Sequence, residues 1–386
     1  MAQTQHDVLP RATHDEAARQ DFIQSFKVYL ANNVSPGNRE IYDQRVKPMF
    51  EKEHGRGPKD RHEVRKAMGA DPYYQFWSSL QRTSQEMMWD SVSASVDRQL
   101  DDLVGKAKFD DKGKLLGSLK LDPSVTVPHY HAKVDIHCQP GGYHTELRED
   151  DVAAGALYDR AVYIYTMGRA GPLNSDMGDS AANFMRQTFP EFQSNAILDM
   201  GCTVGHSTLP WVDAYPEAEV HGIDVGAPVL RYAHARAESL GKKVHYSQQN
   251  AEKTDFADES FDLIVSQILI HETSSKAIKR IMDECHRLLR PGGMMVHLET
   301  PPYAAMNDEF DEFIMDWDTY NNNEPFWGPS HEIDYRELAG NAGFDRDKVR
   351  LELAPSTLAE AAGRTGVFQC GDFAGAGEWF MFIAEK

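Results

Sequence analysis

Several short segments hold residue types whose order and spacing could do chemistry. An apolar run, Ala196-Ile197-Leu198-Asp199-Met200, ends in an acid and leads straight into Gly201-Cys202-Thr203-Val204-Gly205-His206-Ser207-Thr208. Two glycines four apart behind a strand allow positive φ and bring the backbone close to a ligand over a helix N-terminus. The GxGxxG dinucleotide fingerprint and the GK[ST] of a P-loop are both missing from this segment, so those two readings fall. Asp224 ends the next apolar run, where an acid can accept from both hydroxyls of a ribose. Gln249-Asn250-Ala251-Glu252 follows a third run and offers an amide to an adenine amino group.

Acid–base groups come next along the chain. His271-Glu272 stands just after a fourth apolar run and Glu299 ends a fifth, before Thr300-Pro301-Pro302. An imidazole can take a proton near neutral pH. The plainer alternative is that His271 and Glu272 cap the helix that follows, because Glu favours a first turn. His129, His131, His137, Cys138 and His144 place five potential ligands within 16 residues, and His-x-His on a strand would put both rings on one face. No carboxylate or cysteine partner follows at a recognisable spacing, so no metal is expected. Tyr143, His144, Tyr158 and Arg160 are instead expected in a lid over the ligand.

The elements that must position these groups are legible in outline. The first ~105 residues read as helical, with Phe22, Phe26, Tyr29 and Leu30 at helical spacing. Pro72 opens a long amphipathic segment whose apolar side is expected to carry Phe76, Leu80, Met87, Val92, Val96, Leu100 and Leu103, a stripe for core or dimer contact. Residues 106–124, rich in Lys, Asp and Gly, read as an exposed linker. Stretches of VTVPHYHAKVDIHCQPGGYHTE read as strands before the turn at Pro140-Gly141-Gly142. From Ser194 on, Ala196–Met200, Glu219–Asp224, Lys243–Gln248, Phe261–Ser266 and Met294–Leu298 are strands alternating with helical segments, which implies βαβ units and a buried parallel sheet.

The ordered set LDMGCTVGHST, GIDVGAPVLRYAHARAE, QNAE, ESFDLIVSQILIHE and HRLLRPGG resembles the class I S-adenosylmethionine-dependent methyltransferases, in particular their type-11 (UbiE-like) small-molecule branch. The resemblance spans about residues 194–300 and continues through Asn341-Ala342-Gly343-Phe344 and the closing strand Glu378–Glu385. It implies an α/β fold: a Rossmann-like seven-stranded sheet with an N-terminal mainly helical region. An antiparallel strand would lie beside the fifth parallel one, with Val349–Leu353 and Glu378–Glu385 as a hairpin around a long loop at 354–377. By the same resemblance Gly201, Cys202 and Gly205 wrap the methionine part of S-adenosyl-L-methionine, and Asp199 supports the glycine loop or the cofactor amine. Asp224 would hold the ribose, Asn250 and Ala251 would sit at the adenine, and Gln267 would floor the site. The family often has Asp where Asn250 stands, and the amide should serve similarly. A His-Glu pair like His271-Glu272 is frequent in this branch, which makes His271, Glu272 and Glu299 the expected catalytic groups.

Expected domains are 1–124, a helical lid or dimerisation region; 125–190, a connector and lid; and 191–386, the cofactor-binding domain. Between Arg290 and Arg336 there is no Lys or Arg but ten acids, with aromatic residues interleaved. A solvated acidic face is the plain reading; the sharper one has Trp317, Trp327 and their aromatic neighbours receive a cationic or aromatic acceptor.

Composition sets outer bounds. The 386 residues carry a net charge of −20, and the excess is lopsided: 24 basic and 27 acidic residues in 1–190 against 16 and 33 in 191–386. So negative a surface repels polyphosphate, which disfavours nucleic acids and anionic membranes as partners and leaves a small-molecule acceptor. The four cysteines are scattered without a CxxC pair, as suits a reducing compartment. No apolar run approaches the ~20 residues that span a bilayer, and the polar N-terminus shows no secretory signal. A cytoplasmic enzyme is expected, with a homodimer as an option.

Overall fold

The computed structural model describes residues 2–109, 114–361 and 377–386. Its centre is one sheet of eight strands: β1 (Ser118–Lys120), β2 (Ala196–Met200), β3 (Glu219–Asp224), β4 (His245–Gln248), β5 (Phe261–Gln267), β6 (Leu289–Glu299), β7 (Arg350–Pro355) and β8 (Glu378–Glu385). They lie in the order β1-β4-β3-β2-β5-β6-β8-β7. Every pairing from β1 to β6 is parallel, whereas β8 runs antiparallel to both β6 and β7. The expected hairpin is therefore present, and β8 is the strand inserted beside β6. Residues 362–376 of its expected loop lie outside the described residues.

Strand alternation builds two cores, one on each face. Ile197, Val220, Leu263, Val265 and Val296 point to the face covered by helices 176–188, 209–214 and 227–239. Leu198, Met200, Ile223, Ile264 and Met295 point to the other, covered by Ile278, Ile281 and Cys285 of helix Ser275–Leu288. A sheet buried on both sides needs such near-continuous apolar strands, which is why they were readable.

The eighth strand is a correction. Residues 106–124 are not all exposed linker, because β1 pairs with β4 at the sheet edge through Ser118↔His245 and Lys120↔Ser247. The Glu238 carboxylate accepts from the backbone N–H of Leu116 and Gly117 and steers the chain in. A Cβ on Gly117 would lie 2.0 Å from the Val244 carbonyl oxygen, so only glycine can pass there. A three-residue, half-exposed strand carries no periodicity to read.

The strands expected in 125–140 do not form either. Pro128 starts a helical turn at His129–Ala132, and Ile136–Cys138 is a 3-10 turn. The segment joins no strand of the sheet, and Pro128 and the left-handed His137 and Cys138 (φ 53° and 60°) break up the extended backbone a strand would need. The Pro140-Gly141-Gly142 turn is present, closed by the Gly142 N–H donating to the Gln139 carbonyl.

The N-terminal residues are helical, and Asp71 caps Pro72–Arg98 by accepting from the Tyr73 N–H. Val92, Val96, Leu100 and Leu103 of the expected stripe are buried, but its first half is turned by one residue: Trp77 and Met88 are buried while Phe76 is 55% exposed. Phe22 and Tyr29 also face outward. Two further clusters join this region to the sheet. Met88, Trp89, Val92 and Val96 pack with helix Ala153–Tyr165 and with Val229 and Tyr232. Leu30, Tyr42, Tyr74 and Trp77 pack with Phe310, Phe313 and Trp317. Among the described residues no helix is long and apolar enough to cross a membrane.

Candidate functional site

In an open parallel sheet, ligands bind beyond the carboxyl ends of the strands where strand order reverses. Here that point lies between β2 and β5. Two cavities meet there and share Tyr143, Tyr158, Gly201, Thr203, Gln267 and Ile268 as walls. One, with about 710 Å³ of empty space, is lined by Asp224, Asn250, Ala251 and Glu272. The other, about 890 Å³, is largely apolar and is roofed by Met88, Trp89, Tyr165 and His137 over Asp199, Cys202 and Val204.

The glycine loop has the conformation its composition demands. Gly201 and Gly205 have φ of 73° and 78°, and a Cβ on Gly205 would sit 2.5 Å from the Tyr246 hydroxyl. Asp224 holds the loop from β3: its Oδ2 accepts from the Thr203 N–H at 3.1 Å and its Oδ1 from the Gly226 N–H at 2.8 Å. A carboxylate has about four lone-pair sites, so two remain for a diol. The Asn250 side chain accepts from the Glu252 N–H, which fixes its amide at the cavity wall.

Three buried polar atoms face these cavities' residues without a hydrogen-bond partner or with only part of their capacity used. Oδ1 of Asp199 and Nε2 of Gln267 have no hydrogen-bond partner, while Asp199 Oδ2 accepts from the Thr208 hydroxyl. Burial pushes the Asp199 carboxyl up to about 7, opposed by the Thr208 hydrogen bond and helped by the charge of Asp224. A buried unsatisfied polar group is costly, so these atoms suit a ligand with its own donors and acceptors.

The comparison with known proteins bears on which ligand. Residues 197–293 match the family model described as a methyltransferase domain. The chain carries a class I methyltransferase domain. The segment is 33% identical over 106 residues to the demethylmenaquinone methyltransferase of Thermus thermophilus, covering 28% of this chain and 47% of that one. Over 129 residues it is 30% identical to a ubiquinone biosynthesis O-methyltransferase of Cereibacter sphaeroides, covering 33% and 51%. It is also 27% identical over 110 residues to the tRNA N(3)-methylcytidine methyltransferase Mettl2 of Drosophila melanogaster, covering 27% and 34%. The chain thus spans about half or less of these relatives' own length. The methyl donor of such a methyltransferase domain is S-adenosyl-L-methionine, and the polar cavity with Asp224 and the orphaned atoms of Asp199 and Gln267 fit its ribose and amino-acid parts.

The remaining expected residues divide. Tyr143 and Tyr158 wall both cavities, edge to face at 5.3 Å. His144 lies behind them against the His131 ring. Arg160 is not at either cavity: its guanidinium donates to Gln20 and Gln3 and ties down the N-terminal segment. Trp317 packs in the cluster with Trp77, its Nε1 donating to Ser78. Trp327 is buried, donates to the Met315 carbonyl and presents its ring to His271. Trp317 is a wall of the core because helices 309–315 and 317–321 turn their aromatic side inward onto the N-terminal helices, whereas Trp327 opens helix Trp327–His331 and packs in the cluster on the sheet face.

His271 and Glu272 do not cap the following helix, whose N-cap is Ser274. Instead His271 is fully buried and donates from Nδ1 to Glu299 Oε2 at 2.9 Å, while Glu299 Oε1 accepts from the Ile270 N–H. Glu272 reaches the polar cavity, where its Oε1 accepts from the Tyr143 hydroxyl and pairs with His137 Nε2 at 3.3 Å. Sequence reasoning missed Glu324, whose Oε1 lies 2.9 Å from His137 Nδ1. Burial alone would push both imidazoles down, but Glu324, Glu272 and Glu299 outweigh it and hold both above the ordinary value. The five ligand types of 129–144 do not converge: His129 is exposed, Cys138 points toward Asn322, and only His137 joins the carboxylates.

Proposed function

We propose that this chain transfers the methyl group of S-adenosyl-L-methionine to a small-molecule acceptor, a hydroxyl or carbon of an aromatic or lipid-like metabolite. The observation that carries the reading is the pair of cavities meeting at Gly201 and Gln267, one polar with Asp224 and Asn250, the other apolar and closed by helices. Asp224 would hold the ribose, Asn250 and Ala251 the adenine, and Asp199, Gly201, Cys202 and Gln267 the amino-acid part. When bound, S-adenosyl-L-methionine supplies an electrophilic methyl group on a sulfonium.

Methyl displacement asks little covalent help, so the chain's work is placement in a dry volume. Met88, Trp89, Val204 and Tyr165 exclude water from the acceptor side, and Tyr143 and Tyr158 form the wall between the two volumes. Glu272 is the group placed to take an acceptor proton. Burial would raise its pKa, but the hydrogen bond and charge of His137, with His271 and His131, hold it below the ordinary carboxylate value and keep it ionised. His271 and Glu299 act behind it, as positioning residues. The net charge of −20 favours a small acceptor over RNA, although one relative acts on tRNA by its name.

The test uses donor labelled on the methyl carbon, incubated with the protein and a cell extract, with Asp224→Ala as blank. Label in the small organic-soluble fraction is the expected result. Label in protein or RNA overturns the acceptor class, and failure of the protein to bind S-adenosyl-L-methionine in calorimetry overturns the reading as a whole.

A further inference from the structure

Where the two cavities meet, side chains form a cluster whose geometry methyl displacement alone does not explain. From His137, His271 and Glu272, one ligand atom each lies within 4.8 Å of the others. Glu324 flanks the set: its Oε1 is 2.9 Å from His137 Nδ1, the ring nitrogen turned away from Glu272, and its Oε2 is 3.9 Å from His271 Nε2. These side chains come from three separate stretches of chain, the 3-10 turn at Ile136–Cys138, the turn after β5 and the loop before Trp327, and Glu299 at the end of β6 backs them.

Two features point to a ligand at their centre. His271 Nε2 and Glu324 Oε2 are buried without a hydrogen-bond partner, on side chains 0% and 1% exposed, and they face each other across the group. His271 also donates its other ring nitrogen to Glu299, the arrangement in which a carboxylate fixes the tautomer of a metal-binding imidazole and turns its free Nε2 toward the ion.

Charge balance permits it. Glu272, Glu299 and Glu324 are three carboxylates whose ion-pair partners are two imidazoles. A divalent cation with both rings neutral leaves the group with the same charge as two protonated rings without it, so the ion replaces two protons at no further charge imbalance. The backbone adds a third sign. His137 and Cys138 have φ of 53° and 60°, a strained pair, and the His137 carbonyl is held by donors from Gln85 and Trp89. Strain of this kind persists where the surroundings over-determine a functional position.

We infer that His137, His271 and Glu272 bind a divalent transition cation of the zinc or ferrous type, with Glu324 beside His271. Two imidazoles with a carboxylate suit such ions better than calcium or magnesium, which prefer all-oxygen sites. Bonds of about 2.1 Å place tetrahedral donors about 3.4 Å apart, so the group needs to draw in by about an ångström. His137 lines the apolar cavity and Glu272 the polar one, so the cation faces the volume where they meet. There it would polarise an oxygen of the acceptor, a role that rests on the methyl-transfer reading; the site itself does not.

The test is metal binding by the full chain, with no activity assay. Protein stripped with a chelator is reloaded with Zn2+ alone, freed of excess by gel filtration, and its zinc measured by elemental analysis. One zinc per chain is expected, lost in His137→Ala and Glu272→Gln, about ten-fold weaker in Glu299→Gln, and unchanged in His129→Ala. Absence of zinc from the wild type, or equal zinc in all variants, overturns the site. Should the variants fail to fold, the wild type loaded with Co2+ decides: the visible bands of a four- or five-coordinate nitrogen-ligated ion support it, and the spectrum of the hydrated ion overturns it. A methyltransferase that binds no metal would fail only this inference.

Discussion

Nδ1 of His271 donates to Oε2 of Glu299 at 2.9 Å, across the gap between the turn after β5 and the end of β6. Because a carboxylate can only accept, this bond fixes the ring's tautomer and leaves Nε2 bare of a proton toward Glu324 and His137 when the imidazole is neutral. Glu299→Gln is therefore expected to alter the pH profile of turnover while leaving the affinity for S-adenosyl-L-methionine nearly unchanged. An unaltered profile would confine Glu299 to holding the Ile270 N–H.

Asp224→Ala removes the acceptor for two loop amides as well as the proposed ribose partner. Its expected effect is a loss of about 1–3 kcal/mol in S-adenosyl-L-methionine binding. Calorimetric titration checks it, and an unchanged affinity removes Asp224 from the site.

Gly205→Ala forces a side chain into left-handed backbone, at about 1–2 kcal/mol, and presses its Cβ against the Tyr246 hydroxyl. A urea midpoint lowered accordingly is expected, together with weaker cofactor binding. Wild-type stability would mean that the loop relaxes without loss.

Asp159 is a buried hub for the N-terminal segment. Its carboxylate accepts from His206 and Tyr232 at 2.9 Å each and from His6 and Gln3, with Arg236 at 3.4 Å. These partners hold it well below the ordinary carboxylate range despite burial. Asp159→Asn leaves Arg236 without its counter-charge and is expected to destabilise the fold by about 3–5 kcal/mol. Thermal and urea unfolding measure the loss, and a change below 1 kcal/mol would contradict it.

His297 supplies a pH dependence of stability. It is fully buried in β6, bonded to Ser266, and burial alone lowers its pKa to about 4. Between pH 6.5 and 4 the unfolded chain takes up a proton here that the folded chain refuses. Stability from this group is therefore whole above pH 6.5, falls as the pH drops, and levels below pH 4 after a loss of roughly 3 kcal/mol. His297→Gln should flatten that part of the curve of unfolding free energy against pH; an unchanged slope assigns it to other groups.

Residue order alone determined the five parallel strands and the glycine loop, whereas the closing hairpin was implied by the methyltransferase resemblance. The strands and the loop rest on local physics: continuous apolar runs for strands buried on both faces, and glycine where φ is positive. Asp199, Asp224 and Asn250 were legible for the same reason, since each stands a fixed step from a strand end. Tertiary structure alone decided the rest. β1 is too short and polar to show a period, and the strands expected in 125–140 gave way to turns, with His137 and Cys138 in left-handed backbone. Trp317 and Arg160 looked available in one dimension but are consumed by packing against the N-terminal helices. His137 meets Glu272 and Glu324 across more than a hundred residues, a juxtaposition that no spacing encodes, because it is the closure of the helical region onto the sheet that brings them together.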